Sequence, residues 1–298
     1  MAERATQPAA AQDNGAVPPT SVVYSPESSL ASPGRMLRDM VHDLRAARGL
    51  SWRLAVRDIS AQYRQALLGF FWALALPLAN TLIWVFLNRS GLVAVGDTGQ
   101  PYAAYVFVGT MLWAVFMDAV NAPLQGVIAS KDMLAKINFP REAIVVAGVY
   151  QVIFNAAIKS VLLLAGLAFF GILPGWHLLL APLGVASLIL VGTVAGLLIT
   201  PVGVLYSDVG KGMPLLMQFL MYLTPVVYPM PRDGGFAALL LLNPLTAIIE
   251  TARSWLTGAA TDWLGYFIGV NILAAMLLAV LWAVYRLAMP ILIERMSA

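Results

Sequence analysis

An all-α integral membrane protein with six transmembrane helices is the fold class this sequence predicts, and three observations predict it. Of 298 residues, 60% are hydrophobic and only 11% are charged, far below the roughly 25% charged residues of a soluble domain. Mean hydropathy is +0.80, so much of the outer face must meet lipid rather than water. The apolar residues fall into six stretches near the roughly 20 residues that a helix needs to cross hydrocarbon.

Taken in order, residues 1–34 are rich in Ala, Pro, Ser and Gln, with no apolar run. Such a stretch cannot bury enough surface to fold and reads as a disordered cytoplasmic head rather than a secretory signal. Residues 35–64 thread Met36, Leu44, Trp52, Leu54 and Ile59 through arginines and Asp39, Asp43 and Asp58. That is the composition of an amphipathic helix lying in the membrane interface, with an interruption expected at 49–51; a solvated cytoplasmic helix is the alternative. The six-helix domain occupies 65–290, with spans expected at 66–87, 102–124, 143–173, 178–206, 213–228 and 263–289, and a tail at 291–298. Between the last two spans, 229–262 holds two apolar pieces too short to cross, 236–242 and 245–249, broken at Asn243-Pro244. Two half-depth pieces predict a re-entrant gate over about 231–258, its backbone sheltered by protein or lining a wet cavity. An ordinary loop with two small helices is the alternative.

Basic residues set the orientation, because loops on the cytoplasmic side carry the excess of Lys and Arg. With the N-terminus inside, eight arginines precede the first span, Lys131, Lys136 and Arg141 follow the second, Lys211 follows the fourth, and Arg286 and Arg295 close the chain. These fourteen oppose three outside, Arg89, Arg232 and Arg253, with Lys159 inside a span. Both termini are therefore expected in the cytoplasm.

The residues exclude several chemistries. With no cysteine there is no disulfide, thiolate metal site or cysteine nucleophile, and the two histidines, His42 and His177, lie far apart. A phosphate-binding loop needs Gly-x4-Gly-Lys-Ser/Thr. The nearest match, Gly210-Lys211-Gly212, has Leu205 for the first glycine and Gly212 for the hydroxyl. No ATPase, and no other enzyme, is expected in this chain. Asp118, Asp208 and Glu250 lie near predicted interfaces, where capping or helix contacts explain them, and Glu250 and Arg253 have the spacing to pair on one helix face. Lys159 stands roughly 24 Å along its helix from Ala143, where its stem reaches the outer headgroups by snorkelling; contact with an anionic substrate is the other reading. Aromatic residues Phe70, Phe71, Trp72, Phe219, Tyr222 and Tyr228 mark helix ends, as interfacial belts do, or line a conduit on which sugar rings stack. In the loop 125–142, a short helix would present Lys131, Asp132 and Lys136 to the cytoplasm and offer Met133 and Leu134 as apolar contacts, a docking knob of about 128–137 for a soluble partner. Pro140 then opens the next helix.

Four stretches together resemble a known family. They are Arg57-Asp58 with Gln62-Tyr63-Arg64-Gln65-Ala66-Leu67-Leu68-Gly69-Phe70-Phe71-Trp72; Lys136-Ile137-Asn138-Phe139-Pro140-Arg141-Glu142; Tyr206-Ser207-Asp208-Val209 with Thr224-Pro225-Val226-Val227-Tyr228-Pro229; and Asn243-Pro244-Leu245 through Arg253. In this order, over about 36–290, the chain is similar to the membrane subunit of bacterial ABC exporters of O-antigen, capsule or teichoic-acid polysaccharides. Ser207 stands where that family often carries arginine. The resemblance implies a homodimer with two copies of a separate cytoplasmic ATPase, which would bind ATP and Mg; this chain would hold no cofactor or metal and bind no nucleic acid. It implies a coupling helix at Lys131, Asp132, Met133, Leu134 and Lys136. It implies a gate at Phe236, Asn243, Pro244, Glu250 and Arg253, and a pathway formed mainly by the first and fifth spans. The cargo it implies is a glycan on a polyprenyl-diphosphate lipid, moved across the bacterial inner membrane. A drug or lipid exporter of the same architecture is the alternative; a membrane-embedded lipid-processing enzyme is a remote one.

Overall fold

The computed structural model describes residues 33–64, 71–136, 140–231 and 234–297. Among them all regular structure is helical. The chain divides into an N-terminal unit up to Val41, helical from Pro33, and a main unit from His42 onward that holds the bundle.

Helix α1 (Pro33–Arg64) runs without a break through Gly49, so the expected interruption is absent. A lone glycine costs a helix only about 1 kcal/mol, and Ser51 returns its hydroxyl to the Ala47 carbonyl at 2.9 Å. In the main unit α1 buries a stripe of Ala47, Ser51, Leu54 and Ala55, packed against Ala143 and Ala147 of the fifth helix. Arg45, Arg48, Arg53 and Arg57 stay exposed. The apolar stripe thus meets protein, and Trp52 and Val56 remain as exposed apolar groups.

Helices α2 (Phe71–Arg89) and α3 (Tyr102–Ala129) follow, then the six-residue α4 (Lys131–Lys136) and α5 (Glu142–Phe169). A 3-10 turn (Trp176–Leu180) leads into α6 (Ala181–Leu205), then α7 (Ser207–Tyr222), α8 (Gly235–Leu242), α9 (Pro244–Thr257) and α10 (Leu264–Ser297). Among the described residues, four elements are long and apolar enough to cross a bilayer: α3, α5, the 3-10 turn with α6, and α10 through Met289. Helices α8 and α9 meet at 85° and would add a fifth if read as one broken span. The first expected span begins at residues outside those described. The fifth ends at Tyr222 rather than 228, because Pro225 has no amide hydrogen to carry the ladder onward. In the opposite sense, α3 runs one turn past its expected end at 124, and α10 continues through most of the segment set apart as a tail.

Helix α3 is the axis of the bundle. It is almost wholly buried, with α6 and α5 packed along it and α2 and α9 against its flanks. Close approach to α6 rests on Gly192 and Gly196, spaced like a GxxxG pair. A Cβ at Gly192 would lie 2.5 Å from the Ala119 Cβ, and one at Gly196 would lie 2.9 Å from Pro123. Apolar side chains over much of α10 and along α5 face outward instead, Val161, Phe169, Ile272 and Met276 among them, as lipid-bathed helices require.

Candidate functional site

Two proline-bearing helices open a cleft in the bundle. Pro77 lies within α2 and Pro214 within α7. Between these helices, α3, α5 and the end of α1 lies a cavity of about 600 Å³. Helix α5 contributes Gln151, Asn155 and Lys159 toward this side, a polar stripe at intervals of four on an otherwise apolar helix. Each meets a partner from another element. The Gln151 amide donates to Gln62 Oε1 at 3.1 Å, and the Tyr63 hydroxyl donates to Asn155 Oδ1 at 3.2 Å. Lys159 Nζ donates to Asp118 Oδ2 at 2.7 Å and to the Ala114 carbonyl at 2.9 Å. Burial, aided by the Asp118 carboxylate, raises the Tyr63 phenol above its usual pKa, which keeps it a proton donor. Gln62, Tyr63, Asn155, Lys159 and Asp118 line the cleft, joined by Asn80, Thr110 and Gln218.

This geometry corrects one expectation. Lys159 does not snorkel: it is 7% exposed and bound to α3. Asp118 makes the contact between helices expected of it, holding α5 to α3 through Lys159, and α3 continues eleven residues beyond it, to Ala129. A buried ammonium is costly unless paired, so Asp118 and Lys159 satisfy one another. The pairing was missed because 41 residues separate the two. The i, i+4, i+8 stripe of polar residues in α5 was the signal that could have found the site.

At the other end of α3, the sequence-selected gate residues form a buried knot. Asn243 caps α9, accepting from the Leu245 amide at 3.0 Å, while its own amide donates to the Leu223 carbonyl and to Thr224 Oγ1, both at 2.8 Å. Pro244 takes the first helical position. Arg253, 3% exposed, donates through Nη1 to Glu250 at 2.6 Å and to the Tyr105 hydroxyl at 2.5 Å. Its Nη2 donates to the carbonyls of Pro225 and Val226 at 2.9 and 2.8 Å. The expected Glu250–Arg253 pair is present, but its main work is to tie α9 to the turn after α7 and to Tyr105 of α3. Gly109 makes room, since a Cβ there would overlap the Val226 carbonyl and lie 2.6 Å from Arg253 Nη2. Phe236 is half exposed and stacks near Tyr228, ring centroids 6.1 Å apart.

The remaining selected residues scatter. Phe219 is 62% exposed on α7, and Tyr222 meets Trp84 of α2 with centroids 6.1 Å apart. Phe70 lies outside the described residues, as do the side chains of Phe71, Trp72, Asp132 and Lys136. On α4, Lys131 is exposed. Leu134, however, is 8% exposed and packs with Val127, Ile144, Tyr285 and Met289, while Met133 packs beside Ala143 and Ala147. Their apolar contacts are thus made within the chain, and they anchor α4. Arg286 completes this end, donating to Asp43 at 2.7 Å and lying 3.4 Å from Glu142, so that α1, α5 and α10 are joined. Among the described residues no three His, Asp or Glu side chains gather where they could hold a metal.

Apolar helices long enough to span a bilayer, with a cleft carrying polar side chains sunk among them, define a helical membrane-spanning protein. The chain belongs to the ABC-2 type transporter family, whose model matches residues 50–257. It is similar to the O-antigen export system permease protein RfbA of Myxococcus xanthus, 25% identical over 219 residues, 72% of this chain and 83% of that one. An O-antigen export system permease protein RfbA of Klebsiella pneumoniae is 21% identical over 221 residues, 72% and 84% of the two chains.

Proposed function

We propose that this chain is the membrane subunit of an exporter that moves a polysaccharide of O-antigen type, carried on a polyprenyl diphosphate, across the bacterial inner membrane. The observation that carries the reading is the cleft of about 600 Å³ between apolar helices, whose walls mix polar with apolar side chains, found in a chain whose relatives are named as O-antigen export permeases. A glycan needs hydrogen-bonding walls where hydrocarbon would otherwise be. ATP hydrolysis in a separate subunit supplies the energy: this sequence carries no phosphate-binding loop.

In the finer reading α2 and α7 complete six spans, and α8–α9 form a re-entrant gate. Exposed Leu76, Leu82 and Phe86 of α2 and Leu215, Leu216 and Phe219 of α7 flank the cleft, which suits closure by a second copy. The arginines of α1, with Lys131 and Arg286, mark the cytoplasmic side. There α4 takes the push from the ATPase, and its anchors Met133 and Leu134 pass it to α1, α5 and α10 as a shift between two packed states.

Deletion of the gene tests the cargo. Lipid-linked glycan is expected to accumulate on the cytoplasmic face, and the permease to co-purify with an ATPase stimulated by that lipid. Normal surface glycan after deletion, with a drug or phospholipid accumulating instead, refutes the assignment.

A further inference from the structure

Among the described residues the lining of the cleft carries no net charge, and this limits what it can hold. Its lining includes two ionic side chains, Lys159 and Asp118, and they neutralise one another at 2.7 Å. They are not equally open. The Lys159 side chain is 8% exposed and committed to Asp118 and the Ala114 carbonyl, whereas the Asp118 side chain is 30% exposed. What faces the cavity is therefore an acceptor carboxylate, with its cation behind it. Around it stand neutral amides and hydroxyls: Gln62, Tyr63, Asn80, Asn155 and Gln218. Asn80 has no hydrogen-bond partner among the described residues. Met217, Met221 and Pro77 supply apolar wall between them.

We infer that this cleft binds a neutral, hydroxyl-rich stretch of sugar chain, with Asp118 accepting from ligand hydroxyls and Lys159 as a positioning residue that holds the carboxylate in place. An anionic diphosphate finds no free cation among the described lining residues and meets the carboxylate first, so the cleft disfavours it. A hydrocarbon chain would leave the amides unpaired. The inference rests on the glycan-export reading and deepens it: sugar passes this wall, and the charged head of the carrier lies elsewhere.

The chain has no cysteine, so Gln218→Cys gives a single thiol in the cleft wall. The test measures the rate at which a water-soluble maleimide labels that thiol in the full complex with its ATPase, in lipid nanodiscs. A neutral oligosaccharide released from the host's own surface polysaccharide is expected to slow labelling severalfold, and inorganic pyrophosphate to leave it unchanged. Adding Asp118→Asn uncovers the Lys159 charge, so oligosaccharide protection should weaken and pyrophosphate protection appear. A residue that serves only to hold α3 to α5 predicts no such gain. As a second variant, the swap Asp118→Lys with Lys159→Asp restores the ion pair; it should recover assembly without recovering oligosaccharide protection. Pyrophosphate protection of the parent, no protection by the oligosaccharide, or full protection in the swap each overturns the inference. If the parent complex exports glycan while the oligosaccharide gives no protection, this inference alone fails. If it exports none, the export reading fails with it.

Discussion

Arg253 shows what one buried ion does when both of its terminal nitrogens have partners. Its guanidinium lies 3.8 Å over the Tyr105 ring and joins α9 to α3 and to the Pro225–Val226 turn. Arg253→Ala would strand Glu250 and two buried carbonyls, and a broken buried pair costs about 3–5 kcal/mol. Thermal unfolding in detergent should show a large loss. Arg253→Lys should recover little of it, because an ammonium lacks the planar fork that reaches two carbonyls and a carboxylate at once. At Gly109, an added methyl meets backbone rather than a movable side chain. Gly109→Ala should therefore cost about 1–3 kcal/mol as overpacking, read in the same assay, and a neutral result would mean that the turn can retreat. The sequence exposed half of this knot. Glu250 and Arg253 stand three apart on one helix, but Tyr105 lies 148 residues from Arg253, and no local spacing announces such a contact.

Among the elements, the α3–α6 seam is the one most exposed to a single change. Membrane helices gain little from the hydrophobic effect against lipid and depend on close packing. Gly196→Val would force its side chain into the Val120 carbonyl and Pro123, so α6 should separate from α3 and the yield of folded protein in detergent should fall sharply. Gly269→Ala on α10 is the matched control, since nothing lies within 4 Å of a Cβ there. It should be neutral, or stabilising by up to about 1 kcal/mol through helix propensity. Equal behaviour of the two variants would remove packing as the explanation. Helix placement was largely legible, because apolar length and proline positions are local properties. Helix ends were less so: α1 ignored Gly49, α3 passed Leu124, and α7 stopped before Pro225. Hydrogen-bond ladders, not hydropathy, decide those points.

For the whole molecule, the charge bias makes a directional prediction. Single thiols at Lys131→Cys and Ser90→Cys, each at an exposed position, should react from opposite sides of the membrane, Lys131 with cytoplasmic reagent. Labelling of both from one side would overturn the alternating arrangement. Lys131→Glu, on the exposed face of α4, should lower ATPase stimulation severalfold while leaving permease folding intact, because Lys131 makes no buried contact. Charge at Leu134 should instead disrupt the protein itself, since that side chain belongs to the core shared with Tyr285 and Met289. The sequence alone could not make that distinction, because a six-residue amphipathic segment does not state which face is covered.

The sequence by itself determined that the chain is apolar enough to enter a membrane, where its long apolar helices fall and how its basic residues are distributed along it. Those outcomes sum along the chain: each residue adds its own transfer free energy or charge, whatever its distant neighbours are. The tertiary structure alone decided that Lys159 faces Asp118 instead of the headgroups, that Asn155 and Lys159 line a cleft, and that Leu134 points inward. These depend on how each helix is rotated and how closely it packs. Rotation is fixed by contacts between residues far apart in sequence, so no reading confined to one segment contains it.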